Sequence, residues 1–222
     1  MAHSNITDCT GVILVGGKSR RMGVDKAFLK IGGIPLFERV LAVFRETFAR
    51  VILIGNNAER YSGYGLPVHS DIYPGSAMGG LYTGLMHATT PHDFVASCDL
   101  PFPSSTVIRH LLSLRKGCDV VVPASSSGFE PLFAAYAKSC RGPMQRLLEQ
   151  GNFCIFDLYP ALNVRYVPIE ELRPLDGGDR TFININTPEE FARLDREEHA
   201  LIPVTERVSG PVPTTEGDQD IS

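Results

Sequence analysis

The chain has 222 residues, 43% of them hydrophobic and 21% charged, and a formal net charge of −4. That length suits one α/β domain with a sizeable core, and the acidic balance argues against general nucleic-acid affinity. Nothing approaches transmembrane length, no basic and apolar leader opens the chain, and five cysteines without C-x-x-C spacing read as reduced thiols of a cytoplasmic protein.

Residues 1–10 are polar and read as a short disordered lead. Gly11-Val12-Ile13-Leu14-Val15 is apolar and β-branched, which predicts a buried strand. Gly16 and Gly17 end it, and Lys18, Arg20, Arg21 and Lys26 then place four cations within nine residues. Glycines that let the backbone approach a ligand, beside clustered cations, suit a polyphosphate; the alternative is a surface turn with solvated charges. A Walker A loop does not fit, because its first glycine would fall at Val12, and G-x-G-x-x-G is absent.

Leu36, Val40, Leu41, Val43, Phe44 and Phe48 have helical spacing, and Val51-Ile52-Leu53-Ile54 reads as a second strand, ended by Gly55-Asn56-Asn57. This is a βαβ unit, whose ligands lie beyond the strands' carboxyl ends. Val68-His69-Ser70-Asp71 reads as a short strand bearing an acid. The stretch from Gly79 to Ala88 keeps helical spacing despite Gly79, Gly80 and Gly84, each costing an isolated helix about 1 kcal/mol relative to alanine. A helix there implies close packing or a nearby ligand; an irregular loop is the other reading.

Phe94-Val95-Ala96 predicts a strand with Asp99 at its carboxyl end, where an acid serves either a ligand or a turn. Ser104 or Ser105 is placed to cap the helix carrying Val107, Ile108, Leu111 and Leu112. Val120-Val121-Val122-Pro123 and the run from Pro131 to Tyr136 read as strands joined through a flexible loop at Ser125-Ser126-Ser127-Gly128. Arg141 to Gln150 reads as a helix, Val164 to Val167 as a strand and Asp176-Gly177-Gly178-Asp179 as a turn. Phe182 to Asn186 predicts a strand with Asn184 and Asn186 on one side. Thr187 then caps a helix that starts at Pro188 and ends near Glu198. Residues 199–222, rich in Pro, Thr, Gly and acids, read as a disordered tail.

The segments L-V-G-G-K-S-R-R-M-G-V-D-K from Leu14 to Lys26, C-D-L-P around Asp99 and N-I-N-T-P-E-E from Asn184 carry a resemblance. D-x-Y-P-G from Asp71 and P-L-x-A-x-Y from Pro131 add to it. Together they resemble nucleotidyltransferases with a Rossmann-like fold, and within these the molybdenum cofactor guanylyltransferases (MobA), over roughly Gly11 to Phe191. The resemblance implies a three-layer α/β/α domain over residues 11–198, with a predominantly parallel, twisted sheet. It implies transfer of GMP from GTP to the terminal phosphate of molybdopterin, or of its molybdenum-loaded form, with pyrophosphate leaving.

By the same resemblance Asp99 would hold Mg²⁺, and Arg21, Lys26 and Asp99 would be the catalytic residues. Leu14, Val15, Gly16, Gly17, Lys26, Asn56, Asp71 and Asp99 would bind the nucleotide. Asn184 and Asn186 would face the pterin phosphate or complete the metal shell through water. Guanylyl members carry Gly-Gly where cytidylyl members carry Ala-Gly, and here the pair is Gly16-Gly17. Transient contact with proteins that deliver molybdopterin or mature molybdoenzymes is implied as well. A sister cytidylyltransferase, another small-molecule phosphate nucleotidyltransferase and a non-catalytic nucleotide sensor are the alternatives.

Overall fold

A computed structural model describes residues 4–15, 26–185 and 187–201. The chain runs through β1 (Cys9–Leu14), β2 (Lys30–Ile31), β3 (Ile34–Pro35), α1 (Leu36–Thr47), β4 (Val51–Ile54), β5 (Val68–His69) and α2 (Ala77–His87). It continues through β6 (His92–Ser97), α3 (Ser105–Ser113), β7 (Val120–Ser125), β8 (Gly128–Phe129), β9 (Phe133–Ala137) and α4 (Arg141–Glu149). The last elements are β10 (Val164–Pro168), α5 (Ile169–Leu172) and α6 (Pro188–Leu201).

The main sheet has the order β10-β7-β9-β6-β1-β4-β5, with β8 paired to β7. β1 is parallel to both neighbours, β4 and β6, while β9 runs antiparallel between β6 and β7. Most of the sheet is therefore parallel, as expected. Helices cover both faces. Phe44, Val107, Ile108 and Leu111 pack over Ile13 and Phe94 on one side, and Met78, Leu81, Leu85 and Met144 pack over Val12 and Val95 on the other. Burial of β1 on both faces explains why its sequence is a continuous apolar run.

A third, smaller core joins the two ends of the described chain. Ile31 and Leu36 pack with Ile185 and Leu194, backed by Phe102 and Phe191. The β2–β3 hairpin turns on Gly32 (φ 57°) and Gly33 (φ 82°), a two-residue connection that needs positive φ at both positions. Asp195 accepts from Gly32 N at 2.9 Å, and Glu198 is held by Arg39 at 3.2 Å and Arg180 at 2.8 Å. These partners seat α6 on the hairpin.

The glycines of α2 settle the question its sequence raised. A Cβ on Gly84 would lie 2.8 Å from Val12 Cγ1, and one on Gly79 would lie 1.9 Å from the Tyr73 carbonyl oxygen. Close approach of helix to strand, and of helix to the preceding turn, requires residues without side chains here. Ser76 caps the helix by accepting from Gly79 N at 2.9 Å, which offsets part of the glycine penalty.

Four expectations need correction. Residues 4–8 are docked rather than disordered: Ile6 bridges to Phe48, Asn5 donates to the Arg45 and Phe48 carbonyls, and Arg50 and Arg109 donate back to Thr7 and Ser4. Carbonyl bonds, together with the packing of Ile6 on the main core, hold a segment whose sequence is mostly polar. The serine-rich loop is a tight β7–β8 hairpin, in which Ser125 pairs with Gly128 and Ser127 N donates to Ser125 Oγ.

Phe182–Ile185 forms no ladder. Ile183 and Ile185 both pack in the third core, and Phe182 meets Phe133, so the apolar residues are packed against side chains, with no neighbouring strand among the described residues to pair with. Finally, α6 continues through Leu201, three residues past the expected end at 198. Residues 202–222 lie outside the described residues, as do residues 1–3.

Candidate active site

The carboxyl end of β1 lies between those of β4 and β6, because Leu14 is in register with Ile54 on one side and Ser97 on the other. Neighbouring strands are about 4.8 Å apart. Ligand groups from all three strands therefore meet at one rim of the sheet. Leu14 and Val15 are buried there, and Val15 N donates to Ile54 O at 2.9 Å. Gly16, Gly17 and Arg21, expected to bind and act on phosphate, lie outside the described residues.

One half of the rim brings Leu14, Asn56 and Asp71 together. Asn56 Oδ1 accepts from Asp71 N at 3.0 Å, which ties the loop after β4 to the residue two past β5. Thr83 of α2 lies 3.3 Å from Asp71 Oδ1 and also accepts from Ile72 N at 2.9 Å. Burial holds the Asp71 carboxyl above the usual carboxylate range, and the Thr83 hydrogen bond opposes it. A Cβ on Gly80 would sit 3.4 Å from Leu14 and 3.5 Å from Asp71 Oδ1, so α2 comes within contact distance of both. A cleft of about 410 Å³ opens beside Asn56, between it and Arg60.

The other half carries Asp99, and Lys26 is bonded to the residue that follows Asn184. Ser97 Oγ donates to Asp99 Oδ1 just past the end of β6. Ser104 accepts from Val107 N and caps α3, so of the two serines it is the first that serves. Lys26 opens a short 3₁₀ turn (Lys26–Phe28), and its Nζ donates to the buried Ile185 carbonyl at 2.8 Å. Thr187 and Glu190 exchange capping bonds of 3.1 Å at the start of α6, as the sequence predicts. Asn186 lies outside the described residues.

The structure adds one residue to this half. Glu130, in the turn between β8 and β9, lies within electrostatic reach of Asn184 and Asp99. Burial pushes its carboxyl up; Asn184 lowers it and Asp99 raises it further. The only signal in the sequence is an isolated acid between two apolar runs, Phe129 before it and Pro131-Leu132-Phe133 after it. Among the described residues no group of three or more His, Cys, Asp or Glu could enclose a metal ion. Asp99, Glu130 and the Asn184 amide oxygen are hard oxygen donors. Such donors suit Mg²⁺, which is bound by one or two carboxylates together with substrate phosphates.

The family model of the MobA-like NTP transferase domain matches residues 11–162. A probable molybdenum cofactor guanylyltransferase of Pelotomaculum thermopropionicum is 37% identical over 185 residues, covering 83% of this chain and 90% of its own. A molybdenum cofactor guanylyltransferase of Desulfosudis oleivorans is 34% identical, covering 84% and 94%. Among solved structures, molybdopterin-guanine dinucleotide biosynthesis protein A of Archaeoglobus fulgidus superposes with a TM-score of 0.76 at 31% identity, covering 85% and 97%.

Proposed function

Because this chain belongs to the MobA-like NTP transferase family, we propose that it transfers GMP from GTP to the terminal phosphate of molybdopterin or its molybdenum-loaded form, releasing pyrophosphate. What supports the reading is that Asp99, with Lys26 bonded to the residue after Asn184, lies on the carboxyl-end side of the same strands as Leu14, Asn56 and Asp71. A nucleoside fits the second set, and its phosphates fit the first.

The acceptor makes few chemical demands. A phosphate monoester has a second pKa of about 6, so it is largely dianionic at neutral pH and needs no strong base. Charge neutralisation and in-line placement remain, and these are what the residues supply. Asp99, with Glu130 and Asn184 beside it, would hold Mg²⁺, which offsets repulsion between phosphate oxygens when bound. Lys26, with Arg21, would stabilise charge on the triphosphate and the leaving pyrophosphate. Leu14, Val15, Gly16, Gly17, Asn56 and Asp71 would hold the nucleoside and phosphates. Asn186 would join Asn184 at the pterin phosphate.

Base choice would rest on space at Gly16, which lacks a Cβ, and on backbone groups of the following loop that pair with guanine. No helix among the described residues is long and apolar enough to cross a membrane. We place the reaction in the cytoplasm, with transient contact to proteins that deliver molybdopterin or mature molybdoenzymes.

The test is pyrophosphate release from GTP, CTP, ATP and UTP with molybdopterin as acceptor. GTP should exceed CTP by at least about tenfold in kcat/KM, the factor for one lost buried hydrogen bond. A preference for CTP would overturn the guanylyl reading, and binding without turnover would make the protein a sensor. Asp99→Asn should nearly abolish turnover while the fold melts normally; unchanged Mg²⁺ dependence would remove Asp99 from the metal site.

A further inference from the structure

α2 flanks the nucleotide half of the rim, yet Gly79, Gly80 and Gly84 leave it little helical stability of its own. Two cations tie down its far end. Leu85 O is one of the last carbonyls of α2, which have no partner within a helix. It accepts from Arg141 Nε at 2.8 Å, from Arg141 Nη2 and from Lys138 Nζ. Lys138 is itself held by the fully buried Asp93 at 3.4 Å. Arg141 opens α4, and Lys138 lies in the short turn before it (Lys138–Cys140), so both cations reach α2 from other elements. Positive charge at a helix's carboxyl end also suits its dipole.

Two residues before Leu85, Thr83 Oγ1 accepts from Ile72 N at 2.9 Å, and its single proton is divided between Gly79 O at 2.8 Å and Asp71 Oδ1 at 3.3 Å. Asp71 N donates to Asn56 Oδ1 at 3.0 Å. Asp71 is thus pinned by bonds to its own amide and to the next one, and the second of these comes from α2. We infer that Arg141, with Lys138, is a positioning residue for the nucleotide: by pinning the Leu85 carbonyl it sets α2 along β1 so that Thr83 holds the chain at Asp71. Neither cation lies at the rim, since Gly80 faces Leu14 there and Gly84 already faces Val12, two residues further down β1. The inference rests on the nucleotide reading of Asp71 for its consequence, and on the bonds to Leu85 and Ile72 for the coupling.

The test is a double-mutant cycle of Arg141→Ala and Thr83→Val in the full chain, with two readouts. The first is kcat and KM for GTP with molybdopterin as acceptor. The second is hydrogen exchange at the Ile72 amide, taken relative to that at Ile13 in β1, which needs no nucleotide. A residue that acts through a packed element changes the coupled site by about 2–30-fold. Arg141→Ala should raise KM by a factor in that range, with kcat within about threefold of wild type. It should speed exchange at Ile72 relative to Ile13 by at least about twofold.

The double variant should show no higher KM and no faster Ile72 exchange than Thr83→Val alone, because Arg141 acts through Thr83. Arg141→Lys, which keeps the charge but replaces the fork by one ammonium, should lie between wild type and Arg141→Ala. Wild-type KM and exchange ratio in Arg141→Ala, whatever its Tm, would overturn the proposal and leave Arg141 a part in stability alone. Effects that multiply in the double variant would overturn it as well. Should Arg141→Ala fail to fold, the cycle is run with Arg141→Lys under the same criteria. A faster Ile72 amide with wild-type KM would overturn the link to the nucleotide, and with it the place of Asp71 in the site. If wild-type protein prefers another nucleotide, the guanylyl reading fails, and the cycle with that nucleotide still decides the role of Arg141.

Discussion

Replacing Gly84 by alanine sets two effects of similar size against each other. Alanine in a helix interior is favoured over glycine by about 1 kcal/mol. Against that, the new Cβ would lie 2.8 Å from Val12 Cγ1, closer than carbon atoms can approach without movement. Val12 has little room to give. It is fully buried, its branched side chain is stiff at χ1, and its backbone is paired with Ile52 on one side and Val95 on the other. Overpacking of such a site costs about 1–3 kcal/mol, and the rigidity of β1 puts this one in the upper half. The net expectation is destabilisation by about 1–2 kcal/mol, a fall of about 2–8 °C in Tm for a chain of this size. In a Val12→Ala background the obstacle is gone, and Gly84→Ala should then raise stability by up to about 1 kcal/mol. Thermal and urea unfolding of the four proteins measures both arms. A gain in stability from Gly84→Ala in the otherwise wild-type chain, or the same sign in both backgrounds, would refute the reasoning.

Gly80→Ala has no such obstacle, since its Cβ would meet Leu14 and Asp71 at ordinary contact distance. It should raise stability by about 0.5–1 kcal/mol while raising KM for the nucleotide, and equal nucleotide kinetics would remove Gly80 from the site. Lys26→Ala should lower kcat/KM for GTP by at least about tenfold, because a charged hydrogen bond to phosphate contributes about 1.5–3 kcal/mol; unchanged kinetics would leave Lys26 only its bond to Ile185. Asp93, fully buried beside Lys138, has its carboxyl pushed up to about 7 by burial, which outweighs the Lys138 charge. A raised pKa stabilises the fold fully below the unfolded value and loses that contribution as pH rises through about 7. The Tm of Asp93→Asn should therefore gain on wild type between pH 4 and 7, and parallel pH profiles would contradict the shift.

Much of this arrangement is legible in the residues alone. The β-branched run at Val12-Ile13-Leu14, the apolar face of α1 and the capping pair Thr187 and Glu190 each depend on neighbours close in sequence, and each formed as read. The segment from Phe182 to Ile185 did not, because its apolar residues answer to core partners from distant parts of the chain rather than to a neighbouring strand. Asn5, Ile6 and Asp8 look like a polar lead until Arg45, Phe48 and Arg115 are placed beside them. Glu130 was missed for a similar reason. One acid beside a proline carries no pattern, and its neighbours Asp99 and Asn184 lie thirty or more residues away in sequence.

The contact between Lys26 and the Ile185 carbonyl spans 159 positions. During synthesis, at about 5–20 residues per second, the strand that leads into Lys26 emerges roughly 8–30 s before its partner does. The βαβ unit around β1 can assemble early from local contacts, yet Lys26 has no carbonyl to hold it until almost all of the described chain has been made. A chain that stopped before Ile185 would thus form the βαβ unit without the bond that fixes Lys26. The small core that joins α6 to the β2–β3 hairpin is therefore a late arrival, packed after the sheet has formed.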